Sequence, residues 1–298
     1  MTEQKTGQKK VLGTYGSGSN HWVGDGFPVR NLFPSNGLEA EVNPFLMLDY
    51  AGPNEFKPSG KTPGVGQHPH RGFETVTIAY QGSVEHRDSA GNSGVIYPGD
   101  VQWMTAASGV VHEEMHEKEF AQKGGVFEMV QLWVNLPKAE KMSKPRYQAI
   151  TKQQIPVVEF QTGGHARVIA GEWNGTKGAA HTVTPINVFD LVLKAGEKVE
   201  IPLPDGHNAA VVLRKGDVSV GGPQSGPHSL MGEARIATLS ESGSGVVIEA
   251  KEDSTLLVLS GEPIAEPVAS YGPFVMNTRE ELVQAMEDYK AGKMGQLA

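Results

Sequence analysis

"QHPHRGFETVTIAY", residues 67–80, sets two histidines one residue apart, directly before an alternating apolar run. A chain with 10 histidines and no cysteine can use such a pair as half of a metal site, or carry it by accident in a polar loop. Side chains two apart on a strand point to the same side, so His68 and His70 share a face if the backbone is extended there. Pro69 favours that by keeping His68 out of the helical region. It also lacks an N–H, which places the pair at a strand start or a barrel rim and not in the middle of a sheet.

A second pair with the same spacing lies in "GVVHEEMHE" (109–117), where His112 and Glu114 face one way and Glu113 the other. Two such pairs on neighbouring strands bring three imidazoles and one carboxylate together inside a barrel. That set lacks the thiolates of structural zinc sites and the all-oxygen shell of calcium, and it suits a first-row transition metal. Ligand type alone does not choose among iron, manganese, nickel, copper and zinc. Neutral imidazoles and one carboxylate leave a divalent ion with a net charge of about +1. An octahedral ion would keep two positions for a deprotonated hydroxy-ketone and dioxygen; a four-coordinate zinc would be closed.

The rest of the chain sets the frame. It has 298 residues, with 37 glycines and 19 prolines, enough for two ordinary domains and turn-rich enough to favour an all-β design. Short strand-like runs between turn residues recur from residue 73 to 135 and again from 165 to 263. "AYQGSV" (79–84) and "LRKGDV" (213–218) echo each other across the two halves. The reading is two tandem antiparallel β-barrels. Its parts are a wrapping segment over 1–44 anchored by Phe27, Val29, Leu32 and Phe33, a metal-binding barrel over 45–140, a polar connector over 141–160, and a second barrel over 161–298. The last ends in a helix over 278–292, with a capping box of Thr278 and Glu281, an apolar stripe of Leu282, Val283, Met286 and Tyr289, and Gly292 as its stop. The net charge of −8 argues against a direct nucleic-acid groove. No apolar stretch has the length of a membrane span. The polar start "MTEQKTGQKK" lacks the apolar run of a secretory signal, and a cytoplasmic location is expected. His165, His181, His207 and His228 are scattered, so the second barrel is expected to hold no metal.

"HPHRGFETV" (68–76), "GDVQWMTAASGVVHEEM" (99–115), "VQLWVNLP" (130–137) and "GEPIAEPVASYGPFVMNTREE" (261–281) together make a longer pattern. Over roughly residues 45–295 the chain resembles the pirin family of the cupin superfamily. The resemblance implies a bicupin of jelly-roll type with one metal, usually iron, in the N-terminal barrel, held by His68, His70, His112 and Glu114. Strand parity yields the same set. The resemblance further implies quercetin 2,3-dioxygenase activity on a flavonol-like aromatic hydroxy-ketone, with Glu114 both binding metal and taking the hydroxyl proton. An alternative within the family is a metal- or redox-responsive regulator that binds a protein partner; a plainer one is a storage or scaffold cupin. Glu74 corresponds to the glutamate that many other cupins, but not pirins, use as a ligand, and is expected behind the ligands or in a structural role. Arg71, His86, Trp103, Met104 and Trp133 are the remaining candidates for the pocket or its supports. His116 falls outside the ligand pattern and is expected at the surface or rim. The glycine-rich N-terminus is longer than in animal pirins.

Overall fold

The alternating runs form antiparallel strands, and glycines in left-handed conformations turn many of them back on one another. The computed structural model describes residues 7–222 and 226–297. The described residues divide into two units: 19–31, 46–152 and 264–297 make one, and 7–18, 32–45, 153–222 and 226–263 the other. Of the expected wrapping segment, residues 1–6 lie outside the described residues. Among the described residues no helix is long and apolar enough to cross a membrane.

The unit containing the histidine pairs is built from two sheets. One runs in the order Gly64–His70, Val110–His116, Val84–Asp88, Ser93–Ile96. The other runs Arg146–Ile150, Val101–Thr105, Phe73–Gln81, Gly125–Asn135, Phe45–Phe56, Phe27–Phe33, Asn20–Val23. Phe73–Gln81 is buried on both faces over most of its length, as its near-continuous apolar and threonine content requires. Phe27, Val29, Ala51, Ala79, Val84, Ile96, Phe127 and Met129 form an apolar core.

The other unit is one large sheet curled on itself, running Val11–Gly16, His228–Leu239, Asn208–Val220, Ser254–Gly261, Ile186–Leu193, His165–Ala170, Val157–Glu159. Lys198–Ile201 joins it through Val246–Ala250, which pairs with Asn208–Val220. Its interior is filled by inward valines, leucines and isoleucines such as Val168, Leu191, Val211, Val218, Ile248 and Val258. Two antiparallel barrels are therefore present. The sequence echo marks a shared bend: Gly82 separates two strands in the first barrel, and Gly216 bends one continuous strand in the second.

Several boundaries differ from the linear reading. The N-terminal region is not an irregular wrap. Val11–Gly16 is an edge strand of the second barrel, paired with His228–Leu239, whereas Asn20–Val23 and most of Phe27–Phe33 belong to the first. The expected anchors Phe27, Val29, Leu32 and Phe33 are all buried. The polar connector also contains strands: Arg146–Ile150 pairs with Val101–Thr105, and Val157–Glu159 pairs with His165–Ala170. Both are sheet edges, where one side faces solvent and polar residues are tolerated, which is why they read as linker. The histidine pair closes its strand at His70 instead of starting one, and the chain turns at Gly72 (φ 89°) before Phe73. A side chain at Gly72 would collide with the Val275 carbonyl.

The C-terminal helix, Arg279–Lys290, packs within the first barrel's unit and not the second's. Its capping box of Thr278 and Glu281 is present. Leu282 and Ala285 are buried with Val111, Phe274, Met276 and Met294. The expected stripe needs correction: Val283 and Tyr289 are exposed, and Ala285 takes the inward place that helical spacing from Leu282 dictates. Two buried cations tie this segment down. Arg71 donates from Nε to the Ser108 carbonyl (2.7 Å) and from a terminal nitrogen to Asp288 (2.8 Å). Lys141 donates to the carbonyls of Gly72 and Val275 and to Asn135; burial lowers its pKa to about 8.

Asp288→Ala leaves Arg71 buried without its carboxylate and is expected to cost about 3 kcal/mol, read as a lower urea midpoint at unchanged m-value. Hydrogen bonds from Lys293 and Arg71 hold the Asp288 carboxyl below the ordinary carboxylate range. The stabilisation is thus complete above that range and is lost as pH falls through the folded-state value. A gap between wild type and variant that does not narrow in strong acid contradicts this account.

Candidate metal centre

The strands Gly64–His70 and Val110–His116 run antiparallel, with His112 opposite His68 and Val110 opposite His70. A register shift between His112 and Glu114 sets Glu114 opposite Val65. On its other side the same strand pairs regularly with Val84–Asp88, which puts Glu114 opposite His86 and His112 opposite Asp88. Two overlapping groups result, with one ligand atom per residue and all such atoms in a group within 4.8 Å of one another: His68, His70 and His112, and His86, His112 and Glu114. His112 is common to both. His68, His70 and Glu114 line a cavity of about 340 Å³ whose other walls are mostly apolar.

The hydrogen bonds around the imidazoles leave lone pairs for an electrophile. His68 Nδ1 faces the Gly66 carbonyl at 2.8 Å. His70 Nδ1 is buried with no hydrogen-bond partner among the described residues. His112 Nε2 is also buried without a partner. Burial, followed by the neighbouring imidazoles, pushes the pKa of His70 and of His112 well below the ordinary value, so both rings are neutral. A buried nitrogen lone pair with no donor is costly unless something occupies it. Three imidazoles and a carboxylate fit a divalent transition metal in both charge and donor type.

Behind His112 stands a short relay. His86 Nδ1 lies 3.4 Å from His112 Nδ1, and His86 Nε2 lies 3.4 Å from Asp88 Oδ2. One assignment serves every nitrogen: His86 donates from Nε2 to Asp88, His112 donates from Nδ1 to His86, and His112 Nε2 keeps its lone pair. Burial raises the Asp88 pKa, but hydrogen bonds from His86 and Asn92 outweigh it and the net shift is downward. Tyr147 stacks on His86 (5.1 Å, 14°) and fixes the ring plane; burial, with Asp88 and Glu114 near, pushes its phenol up to about 12. Glu114 is held by Thr77, whose hydroxyl lies 3.2 Å from Glu114 Oε1 and 2.8 Å from the Gln131 amide oxygen.

The other candidates sort by contact. Trp133 lines the cavity, edge-on to His70 at 5.3 Å. Trp103 and Met104 are buried core residues outside the cavity lining. Arg71 is engaged by Ser108 and Asp288 and not by a ligand carboxylate. Glu74 is buried and accepts from Thr105 (2.6 Å); burial raises its pKa, and it belongs to neither cluster. His116 is not a rim residue. It is 1% exposed, donates from Nε2 to the Gly26 carbonyl (2.9 Å) and stacks on Phe127 at 4.7 Å. Sequence reading missed Asp49, His21, Thr77 and Gln131. Parity could have found Gln131, which lies two residues from Trp133 and from Met129, all three on the cavity wall.

The family model described as "Pirin" matches residues 26–134, and the one described as "Pirin C-terminal cupin domain" matches residues 188–295. A Pseudomonas aeruginosa protein named "putative quercetin 2,3-dioxygenase" is 54% identical over 286 residues, covering 96% of this chain and 98% of its own. Human pirin is 39% identical over 257 residues, covering 85% of this chain and 83% of its own. The crystal structure of a quercetin 2,3-dioxygenase from Acinetobacter baumannii superposes with a TM-score of 0.93 at 51% identity, covering 98% of this chain and 100% of that one.

His86→Ala is expected to weaken metal affinity about 10- to 100-fold with the fold intact, because His112 then loses the partner that fixes its tautomer and ring plane. Competition against a chelator of known affinity measures it. Unchanged affinity in His86→Ala would remove the relay from the account.

Proposed function

This chain belongs to the pirin family, and on that premise we propose that it is an oxidoreductase of quercetin 2,3-dioxygenase type acting on a flavonol-like aromatic hydroxy-ketone. The observation that carries the proposal is the opening of His68, His70 and Glu114 into a largely apolar cavity of about 340 Å³. Its volume lies in the range of small-ligand pockets. It also gives a planar aromatic ring a wall of Phe27, Val29, Met129 and Trp133.

His68, His70, His112 and Glu114 would hold one divalent ion, with Fe(II) the leading choice and Mn, Ni, Cu and Zn compatible with the same donors. When bound, the ion supplies Lewis acidity and open positions at which a hydroxy-ketone and dioxygen can be held together. The remaining work falls to the side chains. The two neutral, buried imidazoles of His70 and His112 resist protonation, so those two donors stay available into mildly acidic solution. Glu114 is the proton acceptor for the substrate hydroxyl, with Thr77 steadying one of its oxygens so that the other can take the proton. The apolar walls exclude water from the proton transfer and orient the ring.

The test loads the purified protein in turn with Fe(II), Mn(II), Ni(II) and Cu(II), and follows flavonol absorbance together with oxygen uptake. Turnover with at least one metal is expected. Glu114→Ala should lower it at least about 100-fold. His70→Ala should lose both metal and turnover while keeping the wild-type circular dichroism. Absence of oxygen uptake with every metal, or full activity in Glu114→Ala, contradicts the proposal.

A further inference from the structure

We propose that Asp49 is the specificity residue of the cavity, its carboxylate accepting a hydrogen bond from a phenolic hydroxyl at the end of the substrate remote from His68, His70 and His112. This rests on the aromatic-substrate reading above and adds the chemical feature that the pocket selects. Asp49 lines the same cavity as His68, His70 and Glu114, yet it is only 5% exposed. Its Oδ1 accepts from Asn31 Nδ2 at 2.7 Å, which fixes the carboxylate plane. Its Oδ2 has no hydrogen-bond partner among the described residues. A carboxylate held in an apolar wall with acceptor capacity to spare is unfavourable until a donor reaches it. Burial raises its pKa, against the opposing effects of Asn31 and His21.

The sheet order gives the spacing. Thr77, which touches Glu114, lies on Phe73–Gln81; Gly125–Asn135 is next, and Phe45–Phe56, carrying Asp49, follows. Two strand spacings are about 10 Å, which suits a fused aromatic ring system anchored at one end by its hydroxy-ketone and carrying a hydroxyl at the other. Of the cavity's other lining residues, Met47, Val29 and Met129 are apolar, His21 acts on Asp49 electrostatically, and the Gln131 amide oxygen already accepts from Thr77. A site with an unmet acceptor favours the hydroxylated ligand over its deoxy analogue.

The experiment measures dissociation constants of quercetin and of 3-hydroxyflavone, which lacks every hydroxyl but the 3-hydroxyl, for metal-loaded wild type, Asp49→Asn and Asp49→Leu. Oxygen uptake is followed in parallel. Wild type should prefer quercetin by about tenfold to a hundredfold. The preference should fall below about threefold in both variants, with binding of 3-hydroxyflavone little changed. Asp49→Asn keeps the size of the side chain and its contact with Asn31, so it reports even if Asp49→Leu fails to fold. A wild type without preference, a preference kept in the variants, or no binding of either flavonol overturns the proposal. Selective binding lost in the variants but without oxygen uptake supports Asp49 and defeats the dioxygenase reading alone.

Discussion

The convergence of buried, neutral imidazoles on one point is the constraint on which the rest of the first barrel depends. His70 and His112 each carry a buried ring nitrogen that no donor among the described residues meets. Such an arrangement would be selected against as a purely structural core, because each unmet polar atom lowers stability. It becomes favourable when a cation accepts the lone pairs. On the proposed reading the antiparallel register that sets His68 opposite His112 serves the site, and the elements around it hold that register. The bulge beside His112 resets Glu114 against its neighbour strand, Thr77 steadies its carboxylate, and the stack of Tyr147 on His86 stiffens the relay behind the ring.

The shared faces of these residues were legible because strands repeat every two residues. The spacing of His68 with His70, and of His112 with Glu114, carries geometric information that survives without coordinates. The same rule applied to "VQLWVNLP" would have placed Gln131 beside Trp133 on the cavity wall. Asp49 was harder to see. In "PFLMLDY" it closes an apolar run, where a carboxylate reads as the polar end of a strand, and only its burial beside Asn31 reveals otherwise. His116 misled in the opposite direction. Parity gave its face correctly, but the aromatic residues that receive it, Phe27, Phe56 and Phe127, come from distant strands. Arg71 follows the histidine pair directly in sequence, yet its partner Asp288 lies on a helix more than two hundred residues away.

The division of the chain was the least legible feature. A linear reading sets the N-terminal segment apart as a wrap and assigns the C-terminal helix to the second barrel. The molecule does otherwise: the strand Val11–Gly16 completes the second barrel's sheet, and the helix Arg279–Lys290 packs in the first barrel's unit. Neither exchange leaves a local signature, since an edge strand and an amphipathic helix look alike wherever they dock. The physical consequence is plain for the first barrel. The C-terminal segment supplies Pro273 to the cavity wall and the Asp288 carboxylate that neutralises Arg71, so the candidate metal site is supported by residues far from its histidines in sequence.

Anomalous diffraction from crystals of the protein loaded with a single transition metal bears most directly on the central claim. One peak per chain is predicted, within bonding distance of a nitrogen from each of His68, His70 and His112 and of an oxygen from Glu114. A peak held by His86 without His68 and His70, a peak elsewhere in the chain, or none at all would contradict it.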